Sequence, residues 1–223
     1  MLMKKAVTAP VLPSLAFGAN LNVVPGSTTY YTSSLPIGTA SSTREVILVF
    51  ALDTSGTSLT SVFFNTTIPT TISYITISST NRFALVYGTV PTGTTCSIDV
   101  TFSGTTVSDC NFAVYNIRDR AVIGAAPYDT DYSAAVISTS STISSINLPV
   151  NSFVLTAFAR TNTSEVMAVS GLSTTINNQA AINTTYRCGW ASSTLQTSAL
   201  TGQSIVWSWT TSQTGYGASW VLN

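Results

Sequence analysis

Residues 94–103 read TTCSIDVTFS, and their strict alternation sets the fold class. Cys96, Ile98, Val100 and Phe102 fall on one side of an extended chain and Ser97, Asp99 and Thr101 on the other, the period-two signature of a strand with one buried and one wet face. The chain then reaches Ser103-Gly104-Thr105-Thr106, which reads as a turn, and Cys110, Phe112 and Val114 resume the apolar side, so the segment is expected to form a hairpin. Upstream, residues 44–53 (REVILVFALD) are almost continuously apolar, as in a strand at the centre of a sheet. Further strands are expected at 28–32, 59–65, 71–78, 81–90, 134–139, 143–148, 152–160, 166–170, 182–188, 204–210 and 216–222. No stretch sustains helical spacing with caps; at most, residues 176–181 make a short helical turn.

Strands punctuated by turns at short intervals define an all-β chain, an antiparallel β-sandwich of jelly-roll-like or Ig-like type. A length of 223 residues accommodates a single large β domain, assigned to 28–223, preceded by an ordered N-terminal extension over 1–27. Residues 46–52 (VILVFAL) and 153–159 (FVLTAFA) resemble one another; either the chain carries an internal duplication of a central strand, or two buried strands draw on the same few residue types. Residues 118–132, the segment richest in charge, Pro and Gly, read as a crossover loop between the halves.

Composition narrows function by exclusion. The chain has no histidine, eight acidic and eight basic residues and only 7% charged residues, against about 25% in an average globular protein. Histidine-dependent catalysis and metal ligation are ruled out, Gly-x-Ser-x-Gly is absent, and Lys4 and Lys5 are the only lysines. The two glutamates, Glu45 and Glu165, are far apart in sequence at strand edges or turns, not the facing carboxylate pair of a glycosidase. The expected role is non-enzymatic and needs no cofactor. Zero net charge with scattered arginines lacks the basic footprint of a nucleic-acid binder. No apolar run reaches the roughly 18 residues that span a bilayer, and no membrane partner is expected. A neutral surface favours association, which suits a subunit of a homo-oligomer or larger assembly.

Three local features bear on sites. Asp129 and Asp131 offer oxygens to a calcium ion, but two carboxylates fall short of the six to eight oxygens required, and an Asx-turn cluster offset by Arg118 and Arg120 is the simpler reading. Cys96, Cys110 and Cys188 match neither a zinc framework nor an even disulfide set and are expected as buried free thiols. The sequons at Asn65, Asn162 and Asn183 arise by chance in a Ser/Thr-rich chain. At the C-terminus, a turn between Gln213 and Thr214 would set Trp207 opposite Trp220. Together with Trp209 and Tyr216 these rings make an aromatic set that either fills a core or interface or presents a surface for glycan.

Residues 90–117 (VPTGTTCSIDVTFSGTTVSDCNFAVYNI), with a Pro-Thr-Gly turn, an alternating strand, a Ser-Gly turn and an aromatic-rich return, resemble β-sandwich proteins of tailed-bacteriophage virions. The closing residues 216–223 (YGASWVLN) and the strand at 44–53 fit the same pattern. The resemblance implies a structural protein of the virion, assembled in the host cytoplasm. It would decorate the capsid by packing on neighbouring subunits or, alternatively, serve as a tail or tail-fibre module binding host-surface carbohydrate. No site residues carry over from it. The N-terminal extension, with Lys4, Lys5, Pro10 and Pro13, is then expected to be a docking arm onto a more acidic lattice.

Overall fold

A computed structural model describes residues 11–23, 28–53, 58–77, 81–103, 109–162, 164–181 and 185–223. The described residues form only strands: β1 (Ser14–Val23), β2 (Thr29–Pro36), β3 (Glu45–Asp53), β4 (Leu59–Phe64), β5 (Ile68–Pro69), β6 (Thr71–Thr76), β7 (Asn81–Thr89), β8 (Thr95–Phe102) and β9 (Asp109–Arg118) in the first half. The second half contains β10 (Asp129–Leu148), β11 (Phe153–Thr161), β12 (Ala168–Ser170), β13 (Thr174–Ala181), β14 (Tyr186–Ser193) and β15 (Leu200–Leu222). The all-β antiparallel sandwich read from the sequence is therefore the fold.

The first half is a jelly roll. Its two sheets have the orders β1-β9-β3-β7-β6 and β2-β8-β4-β5. Strands β1 to β4 alternate between the sheets, as do β7 to β9, with the first pairing the last and the second pairing the last but one, the double Greek key of that architecture. The second half repeats this order with fewer, longer strands. In β10, residues 129–138 pair with residues 213–221 of β15, while residues 140–148 pair with 200–208. Opposite Thr139, β15 carries four residues, 209–212, outside the register, and this bulge folds the ribbon over on itself. The inner part continues as β15-β11-β14-β13, and the folded-over part pairs with β12 at residues 206–208. Each half-strand of β10 and β15 thus stands where a separate strand stands in the first half, so the two halves share one strand order. Residues 46–52 and 153–159 lie in corresponding places, though aligned end to end they are one residue out of phase in the faces they bury. Their strands, β3 and β11, are the central strands of equivalent sheets.

The halves stack through those equivalent sheets, giving four layers and three cores. Along β3, Val46, Leu48, Phe50 and Leu52 face the outer core of the first half, while Ile47, Val49 and Ala51 face the middle core. Along β11, Leu155, Ala157 and Ala159 face the middle core, and Val154 and Phe158 face the outer core of the second half. Burial on both faces is the physical reason these two runs are apolar throughout instead of alternating. Across the middle core β3 lies against β11, β7 against β15 and β6 against β10, and Tyr115 of β9 donates its hydroxyl to Asn177, in β13, at 2.9 Å. Strand order is reversed between the facing sheets, as an approximate two-fold axis requires. Trp190 ties the layers by donating its indole N–H to the Val49 carbonyl at 3.0 Å.

Several sequence expectations change. β8 and β9 are not a hairpin: they belong to different sheets, and Cys96 and Cys110 meet the same core from opposite sides. Residues 176–181 lie in edge strand β13, not a helical turn. The extension assigned to 1–27 includes β1, which pairs with β9 along its length, so residues 14–23 belong to the first jelly roll. The single sandwich assigned to 28–223 resolves into two stacked ones. Lys4, Lys5 and Pro10 lie outside the described residues; Pro13 is buried at the start of β1.

Candidate assembly surface

Charge in this protein is used mostly for internal ties. Arg120 and Glu45 form an ion pair at 3.0 Å with both side chains fully buried. The other carboxylate oxygen of Glu45 accepts the Gly124 N–H at 2.7 Å, while Arg120 also donates to the carbonyls of Asn223 at 3.0 Å and Ala125 at 3.3 Å. This cluster fastens β3, the crossover between halves and the end of β15 to one another. Arg44, also fully buried, donates to the carbonyls of Gly38, Val90 and Thr92 at 2.7–2.8 Å, holding two loops. Arg160 pairs with Glu165 at 3.6 Å, and Glu165 in turn accepts from the Thr211 N–H and hydroxyl inside the β15 bulge. Desolvation pushes the Glu165 carboxyl up, but the Thr210 and Thr211 donors and Arg160 outweigh it and hold the group below the usual carboxylate range.

These contacts decide the fate of the residues singled out in sequence. Glu45 and Glu165 are in separate clusters, each engaged by arginine and backbone, so they do not face one another across a cleft. Asp129 and Asp131 lie on β10 instead of in a loop. Asp129 accepts from the Asn147 backbone and side chain at 2.7 and 3.0 Å, and Asp131 caps the Tyr132 N–H at 2.8 Å. Arg120 is committed to Glu45 and does not offset them. Cys96, Cys110 and Cys188 are buried and in no disulfide, and burial raises the Cys96 thiol to about 11 despite the nearby Arg44.

The aromatic set is core, not surface. Trp207 and Trp220 are fully buried, and Tyr216 and Trp209 nearly so. The turn expected at residues 213–214 is absent because β15 runs through it; Trp207 and Trp220 therefore share a strand and sit in different cores. Phe158 stacks on Trp207 at 5.5 Å and tilts against Trp209 at 5.2 Å, filling the space under the folded-over ribbon. No ring face of this set is open to a sugar.

What is exposed lies elsewhere, and sequence reading did not find it. Six of the thirteen exposed large apolar side chains among the described residues fall between positions 122 and 137: Val122, Ile123, Tyr128, Tyr132, Val136 and Ile137. They follow the crossover and then β10, the edge strand of the second half, whose outer backbone edge has no partner strand among the described residues. Apart from Asp129 and Asp131, β10 carries no charge, and no Asp, Glu, Lys or Arg occurs from Tyr132 through Ala159. Solitary edge strands are protected by charges, prolines or bulges; this one has bulges but neither charge nor proline along its length beyond Asp131. Alternation alone hid it, because exposed Val and Ile are read as inward residues.

A second exposed group crosses the outer sheet of the first half. Tyr31 on β2, Asp99 on β8 and Phe63 on β4 are register partners in one row, all pointing away from the core.

The chain is thus a tandem jelly-roll protein with a partly apolar edge whose only charges are Asp129 and Asp131. Protein-family models, curated proteins and solved structures were compared with it, and none matches.

Proposed function

We propose that this chain is a non-enzymatic structural subunit of a phage virion, with capsid decoration ahead of a tail or fibre position. The observation that carries the reading is the stripe from Val122 to Ile137 beside the unpaired edge of β10. Apolar side chains and free backbone groups together make a surface that gains by burial against a neighbouring subunit or a second copy of the chain. The jelly roll itself is an architecture of capsid and lectin domains, and the near absence of exposed charge removes long-range repulsion between copies. Carboxylates and arginines tied into internal clusters leave little for acid–base chemistry.

The test replaces Val136 and Ile137 together by lysine in the full chain. Both side chains are exposed, so the fold is retained, and the variant is expected to be missing from purified particles and to sediment as a monomer where the parent associates. Full incorporation of the variant would refute the reading. Arm truncations should stop at residue 12: removing 1–20 would delete most of β1 and disrupt the sheet, confusing loss of docking with loss of fold.

A further inference from the structure

The row Tyr31–Asp99–Phe63 points away from the first core. Tyr31 is 58% and Phe63 37% exposed, although β2, β8 and β4 bury their alternate residues completely enough to supply the first core without them. Between the rings, Asp99 is half-exposed, and no hydrogen-bond donor or cation among the described residues meets its carboxylate. The rows on either side are small and polar: Thr29, Thr101 and Ser61 on one, Ser97 and Asn65 on the other, where the Asn65 side chain accepts the Ser97 N–H at 3.1 Å. No basic residue occurs on β2, β4 or β8.

We propose that this face binds a neutral carbohydrate, with Tyr31 and Phe63 each stacking on the apolar face of a sugar ring and Asp99 accepting hydroxyl hydrogen bonds between them. The site lies on the other half of the molecule from the β10 stripe and stands independently of the assembly role. Geometry selects the ligand class. The two rings are on strands flanking β8, about 10 Å apart at the usual strand spacing, so a short oligosaccharide lying across the strands reaches both and passes over the carboxylate. A cation would need rings within about 6 Å of its centre on several sides, and two rings at this separation on a flat face do not enclose one. An anion such as a nucleic-acid phosphate is opposed by Asp99 and has no base to meet it. The hydroxyl row Thr29–Thr101–Ser61 next to the stacking rings matches a ligand whose edges are hydroxyl and whose faces are C–H.

Saturation-transfer NMR on the full chain tests this, using methyl glycosides of glucose, galactose, mannose, rhamnose and N-acetylglucosamine, with choline as the cationic comparator, alongside a printed array of bacterial surface polysaccharides. Transfer to at least one glycoside or binding to an array polysaccharide is expected. Tyr31→Ala and Phe63→Ala should each weaken it by about tenfold, and Asp99→Asn by a similar factor, with unchanged circular dichroism because all three side chains project into solvent. Silence on both the glycoside panel and the array, sugar binding that survives in Tyr31→Ala and Phe63→Ala, or transfer to choline in place of every sugar would each overturn the proposal.

Discussion

Replacing Glu45 by leucine puts the junction between the two jelly rolls to a quantitative test. The substitution removes the one carboxylate facing the fully buried Arg120 guanidinium and leaves the Gly124 N–H without its acceptor. Arg120 keeps its bonds to the Asn223 main-chain oxygen and the Ala125 carbonyl through Nε and Nη2, while the Nη1 that Glu45 held loses its acceptor. Stranding a buried charge costs about 3–5 kcal/mol, and the orphaned N–H adds about 1–3 kcal/mol where the crossover cannot turn it to water. Against a total stability of about 5–15 kcal/mol, the variant should lie close to its unfolding limit. Arg120→Met in the Glu45→Leu background removes the stranded charge, and an apolar pair of similar volume is often neutral relative to the ion pair. Urea unfolding of the parent, the single variants Glu45→Leu and Arg120→Met, and the double variant should therefore show a large loss for Glu45→Leu, a recovery of at least about 2 kcal/mol in the double variant, and a coupling energy well above the few tenths expected of independent sites. A loss under about 1 kcal/mol in the single variant, or strictly additive losses, would refute the clamp.

Two other expectations concern titrating groups. The Glu165 carboxyl is held below its unfolded range, so its contribution to stability is present above the unfolded value and lost as pH falls through the lower folded one. The unfolding midpoint should fall over that acidic interval, and Glu165→Gln should flatten this part of the profile; an unchanged profile would show that the bulge does not depend on this carboxylate. The Cys96 thiol, raised to about 11 by burial, and the buried Cys110 and Cys188 should be inert to a disulfide reagent at mildly alkaline pH in the native protein. All three should react on denaturation, and rapid native labelling of any one would contradict its burial.

Periodicity showed which face of a strand is wet, but not which sheet the strand joins. The apolar residues of Cys96 to Phe102 and of Cys110 to Val114 do enter one core, yet the same pattern suits two strands of one hairpin and two strands meeting across a core, and β9 buries its other face as well. The small hydroxyl residues of β10 and β15 look like turns because Ser, Thr and Gly favour them, whereas tertiary pairing carries both strands through as bulged ribbons. That continuity displaced Trp207 from its expected place opposite Trp220. The edge strand β13, Thr-Thr-Ile-Asn-Asn-Gln-Ala-Ala, lacks strand composition because its exposed position demands little packing. The Tyr31–Asp99–Phe63 row was invisible for a different reason: its members are remote in sequence, and only register brings them side by side.

The reversed stacking of like sheets is the arrangement that two separate identical molecules would reach by pairing through one self-complementary face. Joining them in one polypeptide frees each side to change without its twin. Trp190 stands beside Ala157 where Leu85 stands beside Val49, and Trp220 beside Leu155 where Tyr115 stands beside Ile47. The two surfaces therefore differ in the side chains they bring to the shared core, a division of labour unavailable to a true homodimer, and either half, once alone, would expose an oily surface shaped for its sibling.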